Sequence, residues 1–377
     1  MSKAGQDSRR RLRGMVRKEW LQILRDPSSI AIAFVLPLVL LFLFGYGVSL
    51  DAKDIRLGLV VEHMDSRSRD LAGAFVRSRF FRPHYYHDIQ SAERDLTERR
   101  LDGIVWLRHD FSRRLQQPGG AAIGVRVNGT DANQARITIG YIQGVWFGWL
   151  EKYARAQGRE LKTPVRLDHR VWFNAAVSSR YFLVPGLIAI IMTLIGSLLT
   201  SMVIAREWER GTMEAMMATP LRIPEVLAGK LIPYFALGMF GMLFTVALAL
   251  WLFDVPLRGS FVTLLGASAL FMLVALAMGL LISIVAKNQF VAGQIAIIVT
   301  FLPAFILSGF IFDIGSMPAP IQVITHLVPA RYFVAILQTL FLAGDIWPVI
   351  LPNLGAMALM LLIFMAIIRR RAHKRIA

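Results

Sequence analysis

REWERGTMEAMMATP, residues 206–220, is a densely charged stretch set between two long apolar runs. The run before it, Tyr181 to Ile204, ends at Ala205, and the run after it begins near Lys230 and continues to Phe253. A charge at a bilayer centre costs about 2.5–3.5 kcal/mol on insertion scales. Charges between two membrane-length segments therefore sit in water, and the stretch reads as a short loop at a membrane face. Gly211 breaks what precedes it, Thr212 is placed to cap the N–H groups that follow, and Glu214 falls in a first helical turn, where the dipole favours an anion. Met213, Met216 and Met217 form an apolar stripe at helical spacing, and Pro220 ends the segment. Two readings fit. One is a capped, Met-rich helix that docks into a groove on a soluble partner. The other is a solvated turn whose methionines rest on the bilayer surface.

The chain around it has 377 residues, 55% of them hydrophobic, and a mean hydropathy of +0.53. Such values indicate an integral membrane protein. The net charge of +17 would suggest nucleic-acid binding in a soluble protein. Here the charges cluster at membrane edges, so the expected partner is the lipid bilayer and no nucleic acid. No cysteine is present, which excludes disulfides, thiolate metal sites and cysteine nucleophiles.

Residues 1–29 read as a basic amphipathic helix, with Leu12, Met15, Val16, Trp20, Ile23 and Leu24 recurring at helical spacing among arginines. Asp26 caps and Pro27 starts the first span, residues 30–50, which is long enough to cross and carries Pro37 inside it. Gly45 and Gly47 mark either a close helix contact or fraying.

Residues 51–180 contain no spanning run. Strands at 55–61, 103–107 and 121–127 alternate with helices at 66–79, 89–100, 110–117 and 132–157, which predicts an inserted α/β domain. His84 and His87 sit beside Pro83 and two tyrosines, which predicts a loop, not a metal pair. Asn128, Gly129 and Thr130 read as a polar turn. Trp146, Trp149, Trp172 and Phe173 suit an interfacial belt or the lining of an exit.

Further spans are expected at 181–204, 231–253, 260–285, 291–312 and 347–368, making six in all and a five-helix region over 181–368. Residues 313–346 hold Pro318, Pro320 and Pro329 and a half-length apolar helix, the mark of re-entrant or interfacial pieces. Residues 369–377 form a basic tail. Lys and Arg crowd the N-terminal segment, the central loop at 205–230 and the tail, whereas the two short loops opposite hold only Arg258 and Arg331. The positive-inside rule then puts both termini in the cytoplasm and residues 51–180 outside.

No G-x-x-x-x-G-K-[ST] phosphate loop occurs, and Gly229-Lys230 lacks the upstream glycine. Nor do paired carboxylates, a nucleophile elbow or an HExxH sequence appear. Asp254, Asp313 and Asp345 lie at span edges, unlike the central acids of a proton- or sodium-driven carrier. The chain therefore reads as non-catalytic, with any ATP and Mg held by another chain.

REWERGTMEAMMATPLRIPEVLAGKLIP resembles the cytoplasmic loop of bacterial ABC-2 type transporter permeases. Arg206, Glu207, Glu209, Gly211, Thr212, Glu214, Thr219, Pro220, Glu225, Gly229 and Lys230 fill the family's pattern, and LVPARYFVAILQTLFLAG resembles its P-x-R-Y…G signature. The resemblance covers the whole chain and implies a six-helix α-helical polytopic membrane protein of the bacterial inner membrane with an extracytoplasmic α/β insert. It implies a permease subunit of a multidrug-type exporter, a cytoplasmic ABC ATPase, a second permease as homodimer or heterodimer, and a periplasmic adaptor. The ATPase-coupling residues it implies are Arg206, Glu207, Glu209, Gly211, Thr212, Met213, Glu214, Met216, Met217, Thr219 and Pro220, with outer re-entrant helices at 313–346. Alternatives are export of a lipid or polysaccharide, and a membrane-anchored receptor that uses the outer domain; the latter lacks a cytoplasmic signalling domain.

Overall fold

The computed structural model of the chain describes residues 3–47, 54–115, 117, 121, 123–130, 132–158, 173, 178–212, 223–286 and 288–371. It divides into two compact units, Met1–Ser49 with Val171–Ala377, and Leu50–Arg170.

The first unit is helical. An N-terminal helix, α1 (Lys3–Leu24), precedes α2 (Pro27–Gly47). The Asp26 side chain caps α2 by accepting from the Ser28 N–H at 3.1 Å and the Ser29 hydroxyl at 2.8 Å. Five more helices long and apolar enough to cross a membrane follow: α7 (Ser179–Glu209), α8 (Ile223–Trp251), α9 (Phe261–Ala286), α10 (Gln289–Leu307) and α13 (Trp347–Arg371). Here α3 to α6 denote the helices of the second unit.

Prolines inside α2 and α10 are accommodated in one way. A π turn occupies Ala31–Val35 before Pro37, and another occupies Ile297–Phe301 before Pro303. A wider turn at that point is one way a helix absorbs the missing proline N–H and the bulk of its ring.

The axis of the unit is α7. Within its most apolar window 89% of residues are buried, against 11% for α13, as befits a helix apolar on all sides. Small residues let its neighbours approach. A Cβ on Gly196 would meet that of Ala275 at 2.5 Å, and one on Gly279 would overlap Thr200 and Ser197. Hydroxyls bridge the same contacts: Thr200 donates to the Leu276 carbonyl at 3.0 Å, and Thr300 to Ser197 Oγ at 2.7 Å. Gly45 proves to be a close contact, since a Cβ there would overlap the Phe253 ring, whereas Gly47 faces open space.

Between α10 and α13 lies a pair of short helices, α11 (Ala319–Thr325) and α12 (Pro329–Leu342), bent by 85°. Arg331 secures the bend. Its guanidinium donates to the Gln322 carbonyl at 3.2 Å and to the Thr325 hydroxyl, and lies 3.0 Å from His326 Nδ1. The Tyr332 hydroxyl donates to the His326 carbonyl at 2.9 Å.

The second unit is a four-stranded sheet, ordered β2-β1-β3-β4, with helices on both faces. The strands are β1 (Ile55–Val61), β2 (Phe81–Tyr86), β3 (Gly103–Leu107) and β4 (Gly124–Val127). β1 runs parallel to β2 and β3, and β4 is antiparallel to β3. The helices are α3 (Ser66–Val76), α4 (Ile89–Thr97), α5 (Phe111–Arg114) and α6 (Ala132–Ala156). Leu57, Leu59 and Val61 pack with Leu71, Phe75 and Trp149, while Val60 and Ile104 on the other face meet Ala92. This is the alternation a period of two demands.

The expected loop at Phe81–Tyr86 is a strand. It lies at the sheet edge, where one side of the backbone needs no ladder partner and Pro83 is tolerated. Among the described residues no group of three or more His, Cys, Asp and Glu is placed to hold a metal. Trp149 belongs to neither a belt nor an exit lining. It is buried in this core and donates to Asp70 Oδ2 at 2.9 Å. Trp172 lies outside the described residues.

Candidate functional site

The charged stretch does not begin as a loop. Arg206, Glu207 and Glu209 occupy the last turns of α7, Gly211 with φ +68° terminates it, and α8 starts at Ile223. The expected loop at 205–230 therefore shortens to the connection between Glu209 and Ile223. The helix extends because each of these charges finds a partner from another element.

Glu207 is the centre. Its Oε1 accepts from Lys230 Nζ and Lys18 Nζ, both at 2.8 Å. Lys230 also donates to Glu19 Oε1 at 2.7 Å, and Lys18 to the same oxygen at 3.1 Å. Two carboxylates and two ammoniums thus alternate around one point. Glu19, Lys230 and Glu207 are buried, while Lys18 closes the cluster from the solvent side. Burial alone would lower the Lys18 pKa; the hydrogen bonds and charges of Glu207 and Glu19 outweigh it and hold that pKa above the ordinary lysine value. The Thr212 hydroxyl donates to the Glu207 carboxylate and, at 3.3 Å, to its carbonyl. Among the described residues Glu19 Oε2 is buried and has no hydrogen-bond partner.

The cluster forms because α1 seats closely on α8. Gly229 has no side chain where Met15 lies: a Cβ there would meet Met15 Cγ at 2.5 Å. Met15, Glu19 and Ile23, four residues apart, make the buried stripe of α1. Toward the N-terminus Glu225 fixes the same contact, accepting from Ser8 Oγ at 2.6 Å and from Arg11 Nε and Nη2 at 3.2 and 3.0 Å.

A second linkage lies beside the first. Arg206 Nη2 donates to Asp26 Oδ2 at 3.0 Å, and its Nε to Gln289 Oε1 at 3.1 Å. Gln289 Nε2 donates to Glu209 Oε2 at 2.8 Å. Burial would raise the Asp26 pKa, but the Ser29 hydroxyl and the Arg206 guanidinium pull it below the usual carboxylate value. The ends of α1 and α7 and the starts of α2, α8 and α10 are therefore tied into one body.

Of the residues expected to couple to a partner, Arg206, Glu207 and Glu209 converge here and bind their own chain, so Glu207 is not free to meet another protein. Gly211 ends the helix and the Thr212 hydroxyl turns back onto Glu207 in its last turn. Met213, Glu214, Met216, Met217, Thr219 and Pro220 lie outside the described residues. Sequence reasoning missed Glu19 and Lys18. A signal existed: Glu19 falls on the apolar stripe of α1, where a charge needs a buried partner.

The chain resembles known proteins over nearly its whole length. A profile described as "ABC-2 family transporter protein" matches residues 27–370. The relative "Probable multidrug ABC transporter permease YbhS" of Escherichia coli K12 is 43% identical over 345 residues, covering 91% of this chain and 92% of its own. "Probable multidrug ABC transporter permease YbhR" of the same strain is 27% identical over 349 residues, covering 90% and 94%. "Inner membrane transport permease YhhJ" of that strain is 27% identical over 299 residues, covering 75% and 78%.

Proposed function

The chain belongs to the ABC-2 family of transporter proteins, and from that premise we propose that it is the membrane permease subunit of an ATP-driven exporter of drugs or other amphipathic compounds. The termini and the charge cluster face the cytoplasm, and the α/β unit lies outside the inner membrane. A separate ABC ATPase binds ATP and Mg and hydrolyses the nucleotide. A second permease, identical or homologous, completes the path, and a periplasmic adaptor extends it. The names of the relatives support the cargo class, and the positive charge of the N-terminal segment and tail supports the orientation.

The observation that carries the reading is the buried cluster of Glu19, Lys230 and Glu207. It joins α1, α7 and α8 on either side of the connection that holds Met213, Glu214, Met216 and Met217. A push by the ATPase on that connection moves three elements together, because separating any one would strand a buried charge. α7 and α8 carry the tilt across the membrane, and no bond of the cargo is made or broken by this chain. The conformational work comes from differential binding of nucleotide states by the partner.

ATP turnover in nanodiscs tests it, with the chain co-expressed with its cognate ABC ATPase and challenged with amphipathic cations and, separately, lipids. Stable co-purification with turnover stimulated by the cations supports the reading. Stimulation by lipids alone would reassign the cargo. A chain that captures no ATPase under any condition would remove the coupling assignment. Within the same assay Gly211→Pro, which forbids the positive φ at that position, is expected to abolish stimulation while the chain still inserts.

A further inference from the structure

Beside the charge cluster opens a cleft of about 800 Å³, bordered by Lys18, Gln22, Arg25, Arg206, Arg210 and Gln289. It lies where α1 ends, α2 begins, α7 ends and α10 begins, so its walls are the end of α1 and the termini of three membrane spans. Four of its residues are cationic, against the single carboxylate of Asp26. The cations are not equivalent. Lys18 is paired with Glu207 and Glu19, and Arg206 with Asp26. Arg25 and Arg210 are exposed and make no ion pair among the described residues. Two guanidinium groups, one just past the end of α1 and one just past the end of α7, therefore border the cleft without an ion pair among the described residues.

Apolar side chains flank this basic surface. Leu21 borders the cleft and is 44% exposed, and Leu24 and Phe290, next to the cleft residues Arg25 and Gln289 in sequence, are also exposed. An acidic peptide from a soluble partner has no use for apolar surface at the level of span termini. A molecule with an anionic head and hydrocarbon tails matches both parts. Guanidinium forks suit phosphate oxygens in particular, since two parallel N–H donors meet two acceptors.

We propose that this cleft binds the phosphate headgroup of an anionic phospholipid, with Arg25 and Arg210 as its principal ligands and Leu21 and Leu24 against the acyl chains. The lipid lies between α1 and α7, next to the linkage that holds the coupling end together, and cross-links those helices where Arg206 and Asp26 already meet. The inference rests on the membrane placement of the chain and is independent of its cargo.

Native mass spectrometry of the full chain in detergent, titrated with dioleoylphosphatidylglycerol or dioleoylphosphatidylcholine, tests it. Phosphatidylglycerol is expected to bind in preference. The double variant Arg25→Gln, Arg210→Gln is expected to lose about tenfold to thirtyfold in phosphatidylglycerol affinity, at about one order of magnitude or less per basic residue. Both residues are exposed, so the variant keeps its fold, checked by an unchanged elution profile and thermal midpoint. Equal binding of the two lipids, or a variant that binds phosphatidylglycerol as the parent does, overturns the proposal. Displacement of the lipid by millimolar inorganic phosphate would assign the cleft to a free anion and also overturn it. So would a variant that keeps the lipid but no longer co-purifies with an ATPase, which would make the cleft a protein dock.

Discussion

Lys230 and Glu19 meet across the contact between α1 and α8, Nζ to Oε1 2.7 Å, with side chains only 3% and 1% exposed. Breaking a buried pair by removing one partner strands the other charge and costs about 3–5 kcal/mol. Lys230→Met is therefore expected to lower the thermal midpoint in detergent sharply. Adding Glu19→Gln should recover much of the loss, because the stranded carboxylate is removed. An unchanged midpoint in Lys230→Met would show that the cluster does not hold the helices.

Gly229 faces Met15 with no room for a methyl group. Gly229→Ala is expected to destabilise the α1–α8 contact by about 1–3 kcal/mol, the usual cost of overpacking. Limited proteolysis within α1 should accelerate. Pairing it with Met15→Ala should restore resistance, and failure of that rescue would place the effect elsewhere.

Arg331 joins α11 to α12 through the Gln322 carbonyl, the Thr325 hydroxyl and His326. Arg331→Lys keeps the charge but loses the planar fork. Hydrogen exchange over Ala319–Thr325 is expected to speed up about tenfold, a change of about 1.4 kcal/mol, with protection in α7 unchanged. A uniform loss of protection in both segments would count against a local role.

Asp65 caps α3, accepting from the N–H groups of Arg67 and Ser68 at 3.1 and 2.8 Å. Burial opposes its ionisation, but the donors around it outweigh that and pull its pKa down to about 2 from 3.8. A folded-state pKa below the unfolded value adds stability that is present above pH 3.8 and fades as pH falls toward 2. Tryptophan fluorescence should report a steeper acid loss of stability in the parent than in Asp65→Asn. Equal slopes would show that the cap carries no proton linkage.

Much of the architecture was legible because its causes are local. The strands Ile55–Val61 and Gly103–Leu107 lie where their apolar runs place them, and Asp26 caps the first span as its position before Pro27 requires. β2 was not legible, since Pro83 argues against a strand until the sheet order shows it at an edge. At the charge cluster, the length of α7 was not legible for a related reason. Arg206, Glu207 and Glu209 look solvated by composition, and only the folded chain reveals that each bonds to a residue of another element.

The sequence by itself determined the spans, the break at Gly211, the proline-split pair at 313–346 and the family to which the chain belongs. Each depends on residues near one another along the chain: hydropathy over a window, a cap, a positive φ. Only the tertiary structure decided that Glu19 and Lys230, 211 positions apart, share a hydrogen bond. Periodicity tells which face of a helix is buried but not what buries it. A charge on that face is tolerated only where helix packing delivers its counter-charge, and that delivery hangs on the space left by Gly229.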